Sequence, residues 1–270
     1  MSFWDHLEEF RWTLIRIIIA VVTFSIAGFI LIPRIFDKVI LAARSSDFVT
    51  YRFLEKAGEF IPFLPDFSAE AFEVEILNIS MTTQFMTYIS TSLAFGVLCT
   101  IPYILYELWK FVSPALYENE AKGVKTAFGF GGFMFVMGAM VGYFIVFPLI
   151  FRFLITFELS DSIENMISLD SYMSNFYTLI LIMGLVFELP LVFWLLSNLG
   201  LVYRPFFRKY RRHAVVGALL AAALITPSGD PFSLIVVTIP IYMLWEISAF
   251  MVKKEPPVEE DEQDLPTIIE

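Results

Sequence analysis

Three groups of residues in this 270-residue chain have types and spacings that could do chemistry. The first, at 6–11, reads His-Leu-Glu-Glu-Phe-Arg. The second, at 109–120, reads Trp-Lys-Phe-Val-Ser-Pro-Ala-Leu-Tyr-Glu-Asn-Glu, with aromatics, a proline and carboxylates in one compact segment. If the two meet on one surface, Glu9 and Glu120 present a pair of carboxylates. Each can accept a guanidinium fork through two parallel hydrogen bonds, so the pair suits two arginines, and lysine does not replace them. Arg11, Pro114 and Tyr117 stand beside these acids as supporting surface. The plainer reading of one acid at a helix end is a solvated or locally paired charge, and the second segment weighs against it.

The third group centres on Glu188, which sits in an apolar run two residues before Pro190. A charged carboxylate in mid-membrane costs about 2.5–3.5 kcal/mol on insertion scales, so such acids are rare and functional by default. Tyr177, Gly184 and Glu188 are spaced to share a helix face. Gln84, Tyr88, Thr91 and Phe95 form a second polar-aromatic stripe. Together Glu188 and Gln84 read as an intramembrane polar site in a concave cavity. The plainer alternatives are a protonated glutamate packing the bundle and small hydroxyls that join helices.

Other chemistry is excluded by what the chain lacks. Cys99 is its only cysteine, and His6 and His213 are its only histidines, so there is no internal disulfide and no Cys/His metal cluster. No GxxxxGK[ST] phosphate loop occurs, which argues against an ATPase. Neither a cofactor nor a metal site is expected, nor is an intramembrane hydrolase, because both histidines lie in surface segments.

The elements that must position these residues follow from hydropathy. The chain is 58% hydrophobic, with thirty phenylalanines, and its mean hydropathy is +0.73. Its apolar residues come in blocks of the length a bilayer demands. The expected fold is an all-α integral membrane protein, a concave bundle of about six spans at 14–32, 85–106, 126–147, 174–199, 214–225 and 232–251. The fifth, at 1.5 Å per residue, covers only about 18 Å of a core about 30 Å thick. It and the sixth read as a short hairpin turned by Pro227-Ser228-Gly229-Asp230-Pro231. Ser25-Ile26-Ala27 resembles a signal-peptide cleavage site, but the acidic flank and the continuing apolar run make the first span a retained helix.

A cap of short helices is expected over 33–80, which holds eight acids and is too polar to cross. A second, shorter element at 148–173 belongs on the same face. Residues 1–254 form one transmembrane domain, and 255–270 are an acidic disordered tail that contributes much of the net charge of −10. With the N-terminus in the cytoplasm, twelve of the eighteen Lys and Arg fall on the cytoplasmic side and six on the other. That asymmetry favours both termini inside. The basic run at 204–212 is then a topology determinant rather than a nucleic-acid site.

The order of these motifs resembles the TatC family, the multi-spanning subunit of the twin-arginine (Sec-independent) protein translocase. HLEEFR at 6–11 is similar to that family's N-terminal signature, and FVSPALYENE at 111–120 to its first cytoplasmic loop. Phe-Glu-Leu-Pro at 187–190 resembles its glutamate motif in the fourth span. Thr226-Pro227 with Asp230, then Ile239-Pro240-Ile241-Tyr242 and Glu246, resemble its last hairpin. Three positions depart from the pattern. Thr13 stands where a second basic residue is usual, with Arg16 the next one; no proline follows the first span within 38–43; and the cap is longer.

The resemblance implies a core receptor subunit in the bacterial cytoplasmic (inner) membrane that binds twin-arginine signal peptides of folded precursors through Glu9, Phe111 and Glu120. It also implies TatA-like and TatB-like single-span partners, several copies of this chain in the complex, and transport driven by the proton-motive force. From another class, Glu188 would suit a proton-coupled secondary transporter of a small solute, although the repeats and broken helices of such transporters are not evident.

Overall fold

The computed structural model describes residues 3–58, 74–112, 118–157, 160, 165–226 and 228–254, without the side chains of 3, 5, 56–58, 109, 112 and 118–128. Ten α-helices are found among these residues: α1 (Phe3–Ile35), α2 (Val49–Gly58), α3 (Thr83–Val112), α4 (Glu118–Val141), α5 (Phe147–Thr156), α6 (Leu169–Val186), α7 (Leu189–Asn198), α8 (Arg204–Lys209), α9 (Arg211–Ile225) and α10 (Pro231–Met251). Five helical stretches are long and apolar enough to cross a membrane: His6–Arg44, Thr83–Leu108, Gly129–Thr156, Leu169–Asn198 and Pro231–Met251. The last, with 21 residues, is the shortest of them. The fifth expected span, α9, has 15 residues and covers about 22 Å.

Helix boundaries depart from expectation at the prolines. The first helix begins at Phe3 rather than 14 and passes through Pro33, ending in a π turn at Phe36–Ile40. Pro148 does not end the third span. A π turn at Gly142–Val146 precedes it, and proline in the first turn of α5 needs no helical donor, so the helix continues to Thr156. Residues 59–73 of the expected 33–80 cap lie outside the described residues; among the described ones beyond α1, the helical parts are that first π turn, a short 3-10 turn at Ala42–Arg44, and α2. A two-residue strand, Ile76–Leu77, pairs in parallel with Ile167–Ser168 and joins the two far-face segments.

Tyrosines tie the cap to the bundle. Where α1 unwinds, its last carbonyls lose their helical partners and need donors. Tyr143 donates to Val39 O at 2.7 Å, Tyr172 to Ile40 O at 2.6 Å and Tyr51 to Ala43 O at 3.1 Å. Edge-to-face contacts among Phe147, Phe151, Tyr172 and Phe176 fill the space beneath.

Helices α1 and α3 lie along each other, and α4 packs on α3 and α6. A Cβ at Gly96 of α3 would fall 2.0 Å from Ser25 Oγ and 2.7 Å from Ser25 N, so the two backbones touch there. In lipid such small-residue contacts hold helices together. Gly96→Leu should therefore part α1 from α3 and lower the thermal midpoint in detergent by about 5 °C or more. An unchanged midpoint would show that this crossing does not hold the pair. Between the far half of α1 and helices α3, α4 and α6 runs an apolar groove of about 530 Å³, lined by Phe95, Leu98, Phe135, Ala139 and Ile180, which makes the bundle concave.

Candidate functional site

The first two turns of α1 meet the last turn of α3. The Phe111 ring stacks on His6 at 4.3 Å between centroids and lies 5.5 Å from Phe10. Residues 6 and 10 are one helical turn apart, so both reach the same neighbour. The two segments singled out in the sequence, over a hundred residues apart, are thus joined by three rings.

Beneath the rings lies a polar cluster that the sequence motifs do not mark. Glu107, with 4% of its side chain exposed, pairs with Arg16: Nη2 lies 2.8 Å and Nε 2.9 Å from Oε2. Tyr103 donates to the other oxygen, Oε1, at 2.9 Å. Arg16 Nη2 also donates to Thr13 Oγ1 at 3.0 Å. A guanidinium rooted at position 16 thus reaches back to the position where the family signature usually carries its second basic residue. One sign was available in the sequence. Arg16 and Glu107 are opposite charges set just inside the same ends of two apolar helices, where neither would be stable alone.

Glu9, Thr13 and Arg16 fall at i, i+4 and i+7 and share a stripe facing α3. Glu9 is half-buried, and among the described residues it has no ion-pair partner. Its neighbour Glu8 is engaged by Arg11 at 3.3 Å on the exposed side. Arg11 also lies 5.6 Å from the Trp12 ring centroid, so its surface role is local to α1. Glu120 falls in the first turn of α4, where the helix dipole favours an acid; its side chain lies outside the described residues, as do Pro114 and Tyr117.

Glu188 is not mid-helix. The fourth span breaks at Phe187 and Glu188, between α6 and α7, because Pro190 has no N–H for the preceding turn. The residue is 8% exposed, and among the described residues neither carboxyl oxygen has a hydrogen-bond partner. It faces Gly131 of α4, where a Cβ would stand 3.0 Å from Oε2. Gly184 also faces α4, against Phe135, whereas Tyr177 turns to α3 and shares a 2.5 Å hydrogen bond with Thr91. Gln84, grouped with Glu188 in the expected intramembrane polar site, lies far from it. Gln84 is in the first turn of α3 and lines a far-face pocket with Asp37, Arg44 and Asn78. Glu188 lies level with Leu105, which contacts the same glycine, 21 residues or about 32 Å along α3.

An unpartnered buried carboxyl lowers stability by about 1–3 kcal/mol. Glu188→Met should then be more stable than the parent by up to that amount and melt no lower, while export of a precursor falls if the carboxyl serves transport. A lower melting point would mean that Glu188 is held by contacts in the membrane and acts as a packing residue.

Residues 5–240 match the family model described as Sec-independent protein translocase protein (TatC). The chain belongs to the TatC family. Among its relatives, a TatC of Blattabacterium sp. subsp. Periplaneta americana is 37% identical over 255 residues, covering 93% of this chain and 94% of that one. The Bacillus subtilis protein TatCy is 30% identical over 253 residues, covering 94% and 89%. A solved structure, the crystal structure of the twin arginine translocase receptor TatC, superposes with a TM-score of 0.70 at 29% identity, covering 91% of this chain and 97% of that one.

TatC membership makes this chain a multi-pass membrane subunit of the Sec-independent translocase, a transport component and not an enzyme. It also leaves the small-solute transporter without support, since the match spans the same segments that reading relied on.

Proposed function

We propose that the surface where α1 begins and α3 ends binds twin-arginine signal peptides, with Glu9, Phe111 and Glu120 as the contacts. What supports this most is the stacking of Phe111 on His6 and its tilted contact with Phe10, which bring the N-terminal signature to the start of the 111–120 loop. The TatC whose crystal structure superposes on this chain is described as a twin arginine translocase receptor. Glu9 offers a carboxylate with no ion-pair partner among the described residues, and Glu120 opens the neighbouring helix. Arg16, Glu107 and Tyr103 hold the two helix ends in place beneath it.

In this reading both termini face the cytoplasm of a bacterial inner membrane, TatA-like and TatB-like single-span subunits dock along the spans, several copies assemble, and the proton-motive force drives transport. The basic residues at 204–212 and the shared end of α1, α3 and α10 support that orientation. Residues 1–254 are then the working transmembrane domain.

The test is binding of a twin-arginine signal peptide to the purified full chain in mild detergent, beside a twin-lysine peptide. The arginine peptide should bind at least about tenfold tighter, because lysine cannot make the forked pairs. Deletion of 255–270 should leave that affinity unchanged. Equal binding of both peptides would remove the carboxylate site, and a loss on truncation would place the tail within it.

A further inference from the structure

Beyond α7, the basic segment folds back on the last turn of α10, at the end of the bundle that carries Phe111. Together they enclose a pocket of about 500 Å³. Arg204, Arg208, Arg211 and Lys254 line it, with Glu246 the single acid among the described residues. Arg211 already engages that acid at 2.6 Å, and Tyr242 donates to its other oxygen at 2.8 Å. Arg204, Arg208 and Lys254 are left without a carboxylate among the described residues.

The pocket is held by backbone contacts rather than by loose side chains. Arg204 N–H donates to Lys253 O at 3.0 Å, and Lys253 N–H donates to Ser197 Oγ at 2.9 Å. Its apolar wall ends at Phe250, which is 73% exposed on the last turn of a membrane-spanning helix. The Arg204 guanidinium lies over that ring, 5.3 Å from its centroid. Surplus positive charge therefore sits at the end of a helix long and apolar enough to cross a membrane, beside an exposed aromatic ring.

We infer that this pocket binds the phosphate of an anionic phospholipid, with Arg204, Arg208 and Lys254 around the phosphate and the acyl chains descending past Phe250. Basic residues at a bilayer surface attract anionic headgroups, and guanidinium groups suit phosphate oxygens. A free phosphate shares the polar half of this chemistry but makes no use of Phe250. The acidic segment that follows Lys254 is the competing occupant, and its charge is spread over a chain without acyl groups.

Native mass spectrometry of the full chain, released from neutral detergent with added phosphatidylglycerol or phosphatidylcholine, tests this. Phosphatidylglycerol should be retained and phosphatidylcholine not. Arg204→Gln with Arg208→Gln should lower that retention by about tenfold or more. Arg212→Gln, in the same basic segment but outside the pocket, should leave it unchanged. An equal loss with Arg212→Gln would reduce the effect to diffuse surface charge and overturn the site. Displacement of the lipid by inorganic phosphate at matched concentration would make it a soluble-anion site instead. A tenfold gain on deleting 255–270 would assign the pocket to the tail.

Discussion

Arg16→Ala should lower the thermal midpoint in detergent by about 5 °C or more, while Glu107→Gln should cost less than half as much. The asymmetry follows from exposure. The Arg16 side chain is 36% exposed and that of Glu107 only 4%. Without Glu107 the guanidinium can reach water; without Arg16 the carboxylate keeps, among the described residues, only the Tyr103 hydroxyl as a hydrogen-bond donor and cannot. An uncompensated buried charge is among the costliest defects in a fold. Glutamine at 107 still accepts from Arg16 and Tyr103, hence its milder effect. Replacing both residues with methionine should recover most of the loss, since the pair's attraction is largely offset by its desolvation. If the double variant loses as much as Arg16→Met and Glu107→Met do in sum, the two residues are not coupled. Signal-peptide affinity should fall with Arg16→Ala, because Glu9, on the same stripe, loses its register with Phe111.

Glu9→Ala should weaken twin-arginine peptide binding by at least about tenfold, the value of a charge-assisted hydrogen bond of about 1.5–3 kcal/mol. It should leave the melting point unchanged, since no described residue pairs with Glu9. Phe111→Ala should do both, losing peptide and also the ring contacts that join α1 to α3, each worth about 0.5–1.5 kcal/mol. Glu9→Gln separates charge from shape: it keeps an acceptor but loses the ion pair, and should fall between the parent and alanine. Raising salt should narrow the gap between parent and Glu9→Ala, because the Debye length shrinks from about 10 Å at 0.1 M to about 3 Å at 1 M and a partly exposed ion pair weakens with it. Parent-like affinity of Glu9→Ala at low salt would remove this residue from the site.

The spanning helices are legible because each carries its own signal, a block of apolar residues long enough for the bilayer. The same independence explains where sequence reading stops. Proline reads as a boundary at 33 and 148, yet a π turn near each lets the helix pass or end later. The break at Glu188 is foreshadowed by Pro190, but the residue facing it, Gly131, belongs to another span and cannot be named from the chain. Gln84 and Glu188 look alike as polar residues in apolar runs; depth along α3 separates them by most of a membrane thickness.

Composition, motif order and charge asymmetry therefore determined, from the chain alone, that this is a helical membrane protein of the TatC kind, and pointed to Glu9 and Phe111. Only the tertiary structure decided that Phe111 stacks on His6 and leans on Phe10, that Arg16 closes on Glu107 and Thr13, and that Arg204 and Arg208 share a pocket with Phe250. Hydropathy is a property of one segment in its solvent and can be read along the chain. A contact between two helices depends on their relative rotation and depth, which are fixed by the packing of all the others.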